Sequence, residues 1–387
     1  MSNEQPENMV FRYPNNATEE RKKAIRTEGL HDWNEDLDSN IIPELKNEKN
    51  KEPWQEKAID DINVEIRKYF HDELDLNVDG IDSEHVHIFE PNDMTAVMQG
   101  LKRRITGPIQ ATAFRKHIIM TSELNKPNLK KLQFTKVLIH EALHTQEFQK
   151  IADASIETGV GSLEVVSAER KGLGISGKTI PPQWRFEGIG EGLVELMSKK
   201  ILHSIVSNNE EYEEELNRKF SSIDQKVGRD AAFKHFGLRT YDLEDVEVLN
   251  EGKEYKWTEV GTYFYEQSLV LFIATRLSKA KPEKYKTIDE ALKLFLRGLY
   301  RGELLPLGKE IDAVFGKGTF RLLSSIPGYR GTGGGINGIA KNAQKFLNLP
   351  TEERNPEIAR KYIFGSANEE DFEKYLKARN RREKQKE

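Results

Sequence analysis

The chain of 387 residues contains no cysteine. This absence excludes disulfide bonds and catalysis by a thiolate, and it removes cysteine from the possible ligands of a zinc ion. A zinc site in this protein would therefore have to use histidine and carboxylate side chains.

No stretch of the sequence is long and apolar enough to predict a transmembrane helix. The first 30 residues are polar, and Met9-Val10-Phe11 is too short for the core of a signal peptide, so we expect a cytoplasmic location. The formal net charge is only −5, which gives no reason to expect nucleic acid or a membrane as a partner. Nothing in the sequence indicates the oligomeric state.

The most informative pattern is His140-Glu141-Ala142-Leu143-His144. Apolar residues at helical spacing before and after it predict that the pattern lies on a helix. Side chains at i and i+4 share one face of a helix, so the two imidazoles can bind one metal ion. Glu141 would then act on a metal-bound water as a general base. The alternative interpretation is an amphipathic helix whose two histidines have no common role.

A zinc ion that activates water has three protein ligands and one open position, so a third ligand is expected downstream. Residues 181–197 offer Glu187, Glu191 and Glu195, one helical turn apart on a shared face. Three glycines lie among them, although each costs about 0.8–1 kcal/mol in a helix relative to alanine. We therefore expect this helix to pass closely across the histidine helix. The alternative is a solvated stripe of charge.

These segments resemble the gluzincin metallopeptidases, in which a glutamate from a second helix completes a His-Glu-x-x-His zinc site. In one register Glu187 is the ligand. This register matches the family sequence Pro-x-Trp-x-x-Glu-Gly-x-Ala-Glu at Pro182, Trp184, Glu187, Gly188 and Glu191. In the other, Glu191 is the ligand and Glu195 is an acceptor that orients a ligand histidine. We prefer the second register because it keeps apolar residues beside the ligand.

The resemblance implies one Zn2+ per chain, bound by His140, His144 and Glu191, with Glu187 as the alternative to Glu191. It also implies that Tyr265 donates a hydrogen bond to the oxyanion that develops during peptide hydrolysis. The alternative for Tyr265 is packing at the start of a core helix. The chain has no Gly-x-Met-Glu-Asn sequence, so the resemblance gives no support for recognition of a free substrate N-terminus.

The resemblance predicts an α+β fold that is mostly helical, in which a zincin-like catalytic domain has a small mixed sheet and an active-site helix, followed by a helical domain that closes the cleft. We expect four segments: a polar, poorly ordered N-terminal segment (1–52), the catalytic domain (53–205), the helical domain with Tyr265 (206–327), and a Gly-rich linker with C-terminal helices (328–387). Periodicity and the resemblance predict helices at 54–70, 288–299 and 307–315 and strands at 82–89, 111–114 and 117–120.

Two other patterns carry weaker chemical signals. His85 and His87 alternate with apolar residues and are expected on one face of a strand, where two histidines without a third ligand indicate surface positions and not a second metal site.

Residues 172–179 match the phosphate-binding pattern Gly-x4-Gly-Lys-Thr. A working P-loop follows a buried strand and opens a helix, but here charged residues precede it and Pro181 and Pro182 follow it. We therefore interpret 159–180 as a flexible loop.

The sequence thus predicts a zinc-dependent metallopeptidase that hydrolyses bonds in a peptide or protein substrate, with Glu141 as the general base. Two alternatives to this function remain open. One is a non-catalytic zincin-fold module that binds peptides or proteins. The other is an effector-type protease that cleaves one specific protein.

Overall fold

The protein is described from a computed structural model of the chain. The structure describes residues 9–13, 17–34, 37, 42–101, 110–123, 130–158, 161–171, 174–176, 184–207, 209–215, 217, 246–251, 254–259, 263–324, 326 and 337–350. Within these ranges the fold is α+β and mostly helical with a small mixed sheet, so the predicted fold class is confirmed at this level.

The described helices are, in chain order, α1 (Glu19–Asn34), α2 (Pro53–Leu74), α3 (Pro91–Gly100), α4 (Lys130–Thr145), α5 (Glu187–Ser207), α6 (Phe264–Ala280), α7 (Ile288–Tyr300), α8 (Leu304–Phe315), α9 (Thr319–Leu323) and α10 (Asn337–Asn348). The described strands are β1 (Met9–Arg12), β2 (Val86–Phe89), β3 (Ala111–Phe114), β4 (His117–Thr121), β5 (Gln149–Thr158), β6 (Gly161–Lys171), β7 (Gly174–Ser176), β8 (Trp184–Arg185), β9 (Val246–Glu251) and β10 (Glu254–Glu259). None of the described helices combines the length and apolar character needed to cross a membrane.

The chain divides into two compact units, and each is assembled from separate stretches of sequence. The three-segment unit comprises Met1–Glu35, Gln146–Leu193 and Tyr265–Glu387. The two-segment unit comprises Asp36–Thr145 and Val194–Phe264. Helix α5 begins in the former and ends in the latter.

The two-segment unit contains helices α2 and α4, which pack against each other. Helix α2 begins at Pro53, which suits a first helical turn, and the backbone N–H of Glu52 donates to the side chain of Gln55 at 2.7 Å. Its ring contact with α4 joins Trp54 to Phe134, with centroids 5.1 Å apart in an edge-on arrangement. Phe134, Leu138 and Leu143 of the apolar stripe predicted for α4 are buried, which fixes the rotation of the histidine helix about its axis.

The mixed sheet of the two-segment unit has the order β2-β4-β3, with β2 parallel and β3 antiparallel to β4. Its first strand is shorter than predicted, because Ser83–His85 form a turn of 3-10 helix. The surface position expected for His87 is wrong: this side chain is only 9% exposed and lies 3.0 Å from a nitrogen of His117 on β4. Every residue of β2 is buried, so the alternation of histidines and apolar residues along the strand does not mark a solvent-exposed face.

The three-segment unit contains a sheet with the order β1-β5-β6-β7-β8. Strand β1 is parallel to β5, and the other neighbouring strands are antiparallel. The loop expected over 159–180 is therefore wrong for 161–171 and 174–176, which form β6 and β7. Backbone pairing with β5 forms a strand that the charged residues of this segment did not indicate. The remaining residues of 159–180 lie outside the described ranges.

Helix α5 passes very close to the start of α6 at Gly192. A Cβ atom added there would lie 2.5 Å from the carbonyl carbon of Glu266 and 2.8 Å from the amide nitrogen of Gln267, closer than real Cβ contacts allow. The close approach predicted from the glycines thus exists, but at Gly192 the neighbour is α6 and not the histidine helix. At Gly190, two residues earlier, an added Cβ atom would meet no such neighbour within 4 Å.

The glycines provide a matched pair for a stability measurement. Gly192→Ala forces a methyl group into the backbone of α6, and we expect it to lower the free energy of unfolding by about 1–3 kcal/mol. Gly190→Ala adds a methyl group in open space, and we expect it to be neutral or to stabilise the helix by up to about 1 kcal/mol. Urea denaturation followed by circular dichroism measures both. Equal effects of the two substitutions would contradict the close approach.

Candidate metal centre

Helix α4 brings His140 and His144 together as the i and i+4 spacing predicts. Their Nε2 atoms are 3.2 Å apart, and their ring centroids are 4.9 Å apart. His140 is 8% exposed and His144 is half-buried, so the pair faces the interior with one side still accessible. The two imidazoles are therefore close enough to bind one ion.

Glu191 on α5 completes a group with the two histidines. One ligand atom from each of His140, His144 and Glu191 lies within 4.8 Å of the other two. Atoms bound to a shared zinc ion at roughly 2.0–2.2 Å can be at most about 4.4 Å apart, which is close to the upper limit of the separations within this group. This group can hold a metal ion. Glu187, the alternative third ligand, is the first residue of α5 and is not part of the group.

Glu195 supports the first ligand. Its Oε2 lies 2.9 Å from Nδ1 of His140, and it is only 3% exposed. When Nδ1 carries the proton, it donates a hydrogen bond to Glu195, and Nε2 keeps its lone pair for a metal ion. Lys136, one turn before His140 on α4, lies 3.2 Å from the other carboxylate oxygen and compensates its charge. Glu195 thus lies where the register with Glu191 as third ligand predicts an acceptor for one of the two histidines.

Glu141 lies beside the two histidines and contacts the mixed sheet. Its Oε2 accepts a hydrogen bond of 2.6 Å from the backbone N–H of Ala113. Ala113 is in β3, which is the terminal strand of the three-stranded sheet in the part of the chain that the structure describes. The bond fixes the Glu141 carboxylate between the histidine helix and a strand whose outer edge has no partner strand among the described residues.

Two tyrosines precede or open α6, and the structure describes the side chain of only one. Tyr265 is the second residue of α6, and its side chain lies outside the described part, so its proposed role stays a prediction. Tyr263 lies next to the helix, and its ring is stacked on that of His140 with centroids 5.7 Å apart. Nothing in the local sequence distinguishes which tyrosine meets the histidine helix, so sequence reasoning missed the contact of Tyr263.

Glu266 is a buried carboxyl group near Glu191 that the sequence did not reveal. It is 1% exposed, and neither carboxyl oxygen has a hydrogen-bond partner of good geometry among the described residues. Burial, the largest cause, raises the pKa of Glu266, and the charge of Glu191 raises it further, against a partial lowering by its own backbone N–H. Glu266 therefore favours the protonated form more than an exposed glutamate does.

No family model, curated protein or solved structure matches the chain. The similarity to gluzincins accordingly stays a prediction from short sequence patterns. The functional interpretation depends on the geometry of the residues around His140 and on their chemistry.

The third ligand can be identified from metal content. Glu191→Ala removes a member of the ligand group, and we expect the zinc bound per chain to fall from about one to near zero at micromolar protein. Glu187→Ala, one turn away, should retain the parent content and serves as the control. Elemental mass spectrometry on protein purified without a chelator or an affinity tag measures both. Loss of zinc in Glu187→Ala alone would favour the first register instead.

The buried carboxyl of Glu266 predicts a dependence of stability on pH. Because its pKa is raised in the folded state, the folded protein holds a proton that the unfolded chain releases as pH rises above about 4.5. The contribution of protonated Glu266 to stability is therefore lost as pH rises from about 4.5 through the higher pKa of the folded state. We expect Glu266→Gln to match the parent at pH 4.5 and to be more stable at pH 7.5, in metal-free urea denaturation. A constant difference at both pH values would contradict the raised pKa.

Proposed function

We propose that the protein is a zinc-dependent metallopeptidase that hydrolyses bonds in a peptide or protein substrate, with Glu141 as general base. The observation that carries this proposal is the group of His140, His144 and Glu191, with Glu195 behind the first histidine. Two imidazoles and one carboxylate form the ligand set of a hydrolytic zinc site with one open position. The glutamate adjacent to His140 supplies the remaining catalytic group.

Zinc fits this donor set better than calcium or magnesium does. Calcium and magnesium prefer oxygen ligands, whereas two of the three donors here are imidazole nitrogens. A bound zinc ion would lower the pKa of its water and polarise the substrate carbonyl. The protein's part is to orient the ligands, and the His140–Glu195 hydrogen bond contributes to this.

The proton transfers fall to Glu141. Its carboxylate is held by the Ala113 N–H through one oxygen, so its orientation does not depend on solvent. In the proposed mechanism this carboxylate takes the proton of the attacking water and then passes it to the leaving nitrogen. A correctly positioned general base contributes about 10²–10⁴-fold to such a reaction.

The edge of strand β3 suits a substrate in extended conformation. A terminal strand presents backbone N–H and C=O groups, and a peptide can bind there as an added strand. The N–H of Ala113 at this edge already donates to Glu141, so a peptide that paired with the neighbouring backbone groups of β3 would lie beside the proposed general base. The predicted cytoplasmic location and the partners predicted from composition stay predictions.

Glu141→Gln separates catalysis from metal binding. We expect this variant to keep the zinc content of the parent and to lose at least about 10²-fold in peptide hydrolysis, because the amide cannot accept the proton. His144→Ala should lose both zinc and activity. Zinc is measured by elemental mass spectrometry, and hydrolysis by mass spectrometry of a mixed peptide library.

The outcomes distinguish the competing functions. Parent-like turnover in Glu141→Gln would remove Glu141 from the mechanism. Zinc binding with no hydrolysis of any peptide in the library would favour an effector-type protease for one protein or a non-catalytic binding module. Cleavage of a folded protein substrate by the parent and not by Glu141→Gln then identifies the effector type.

A further inference from the structure

Tyr263 makes a face contact with the first metal-ligand candidate. Its ring and that of His140 are nearly parallel, at an interplanar angle of 4°, with centroids 5.7 Å apart. Both residues belong to the two-segment unit. This separation and angle are those of offset stacked rings.

The backbone of Tyr263 is in an unfavourable conformation. Its φ is 59°, in the left-handed region that bulky aromatic residues rarely adopt. Such a conformation persists only where surrounding contacts determine it, and it concentrates at functional sites. Tyr263 immediately precedes α6, so the left-handed residue sets the direction in which the chain enters that helix. Strain and ring contact are independent observations on the same residue.

The two neighbours of His140 restrain different motions of its ring. The hydrogen bond from Nδ1 to Glu195 holds one edge and fixes the tautomer, but it leaves the ring able to rock about that bond. A parallel ring against the face of His140 opposes this rocking. Together they hold Nε2 toward the corresponding nitrogen of His144. A ligand that is already oriented loses less conformational freedom when it binds an ion.

We propose that Tyr263 is a positioning residue of the metal centre, acting through the face of its ring on His140. The positive φ of Tyr263 is the backbone conformation in which its ring contacts His140. The inference rests on the proposed function only in requiring that a metal binds at His140, His144 and Glu191, and it does not require peptide hydrolysis. The ring, and not the hydroxyl group, carries the role.

Four substitutions of Tyr263 test the aromatic ring, the hydroxyl group, the apolar bulk and the backbone strain separately. Tyr263→Phe keeps the ring and should bind Zn2+ within about threefold of the parent. Tyr263→Leu keeps apolar bulk without a flat face, and Tyr263→Ala removes both. Tyr263→Gly removes the side chain and also relieves the strain, since glycine adopts positive φ readily. We expect the last three to weaken Zn2+ binding by about 10–100-fold, the range typical of groups that orient a ligand.

Competition with a chromophoric chelator at pH 7.5 measures the Zn2+ affinities. The visible absorption spectrum of the Co2+-loaded protein reports ligand geometry, and we expect it to change in the Gly, Ala and Leu variants but not in the Phe variant. Urea denaturation of metal-free protein should show that Tyr263→Gly is at least as stable as Tyr263→Ala and is fully folded in the absence of urea. Weaker metal binding by the glycine variant then cannot be attributed to unfolding.

Each outcome bears on the proposal. Parent-like Zn2+ affinity and Co2+ spectrum in the Ala and Gly variants would overturn it. A tenfold loss in Tyr263→Phe would transfer the role to the hydroxyl group and overturn the stacking account. Absence of Zn2+ binding by the parent would overturn this inference together with the metal centre. Zn2+ binding without hydrolysis would remove the peptidase function alone, and the affinities of the variants would still decide the role of Tyr263.

Discussion

The hydrogen bond between His140 and Glu195 is the interaction on which the candidate site depends. It joins helix α4, which carries both histidines, to helix α5, which carries the glutamates. Since Glu191 lies one turn before Glu195, the same bond that sets the tautomer of His140 also brings a third ligand toward the histidine pair. Lys136 stabilises this arrangement, because a buried carboxylate needs a nearby positive charge.

Several residues of α5 and of the chain at the start of α6 lower the stability of a fold. Glu195 and Glu266 are both buried carboxyl groups, and Gly192 gives up helix propensity so that α5 can approach α6. Tyr263 adds a strained backbone conformation. Natural proteins retain such features where a site requires them and stabilise the fold elsewhere, here through the apolar contacts of α2 with α4 and the fully buried strand β2.

Periodicity, together with the resemblance to gluzincins, predicted the helix that carries the histidines and the strands beside it. Helices α2 and α4 correspond to segments predicted from apolar residues at period 3.6. Helices α7 and α8 and strands β3 and β4 correspond to segments that the resemblance implied. The prediction failed where tertiary pairing overrides composition. Charged residues in 161–171 did not indicate a strand, yet pairing with β5 forms β6.

The sequence by itself determined the local geometry of the candidate site: two histidines on one face of a helix, with Glu141 beside them, and glutamates one turn apart on another helix. Covalent spacing and helix periodicity are sufficient for that. Only the tertiary structure decided that Glu191 approaches the histidines, that Tyr263 stacks on His140, that Glu266 is buried, and that His117 meets His87. Each of these contacts joins residues far apart in the chain. They depend on how helices and strands pack, and no local pattern specifies that packing.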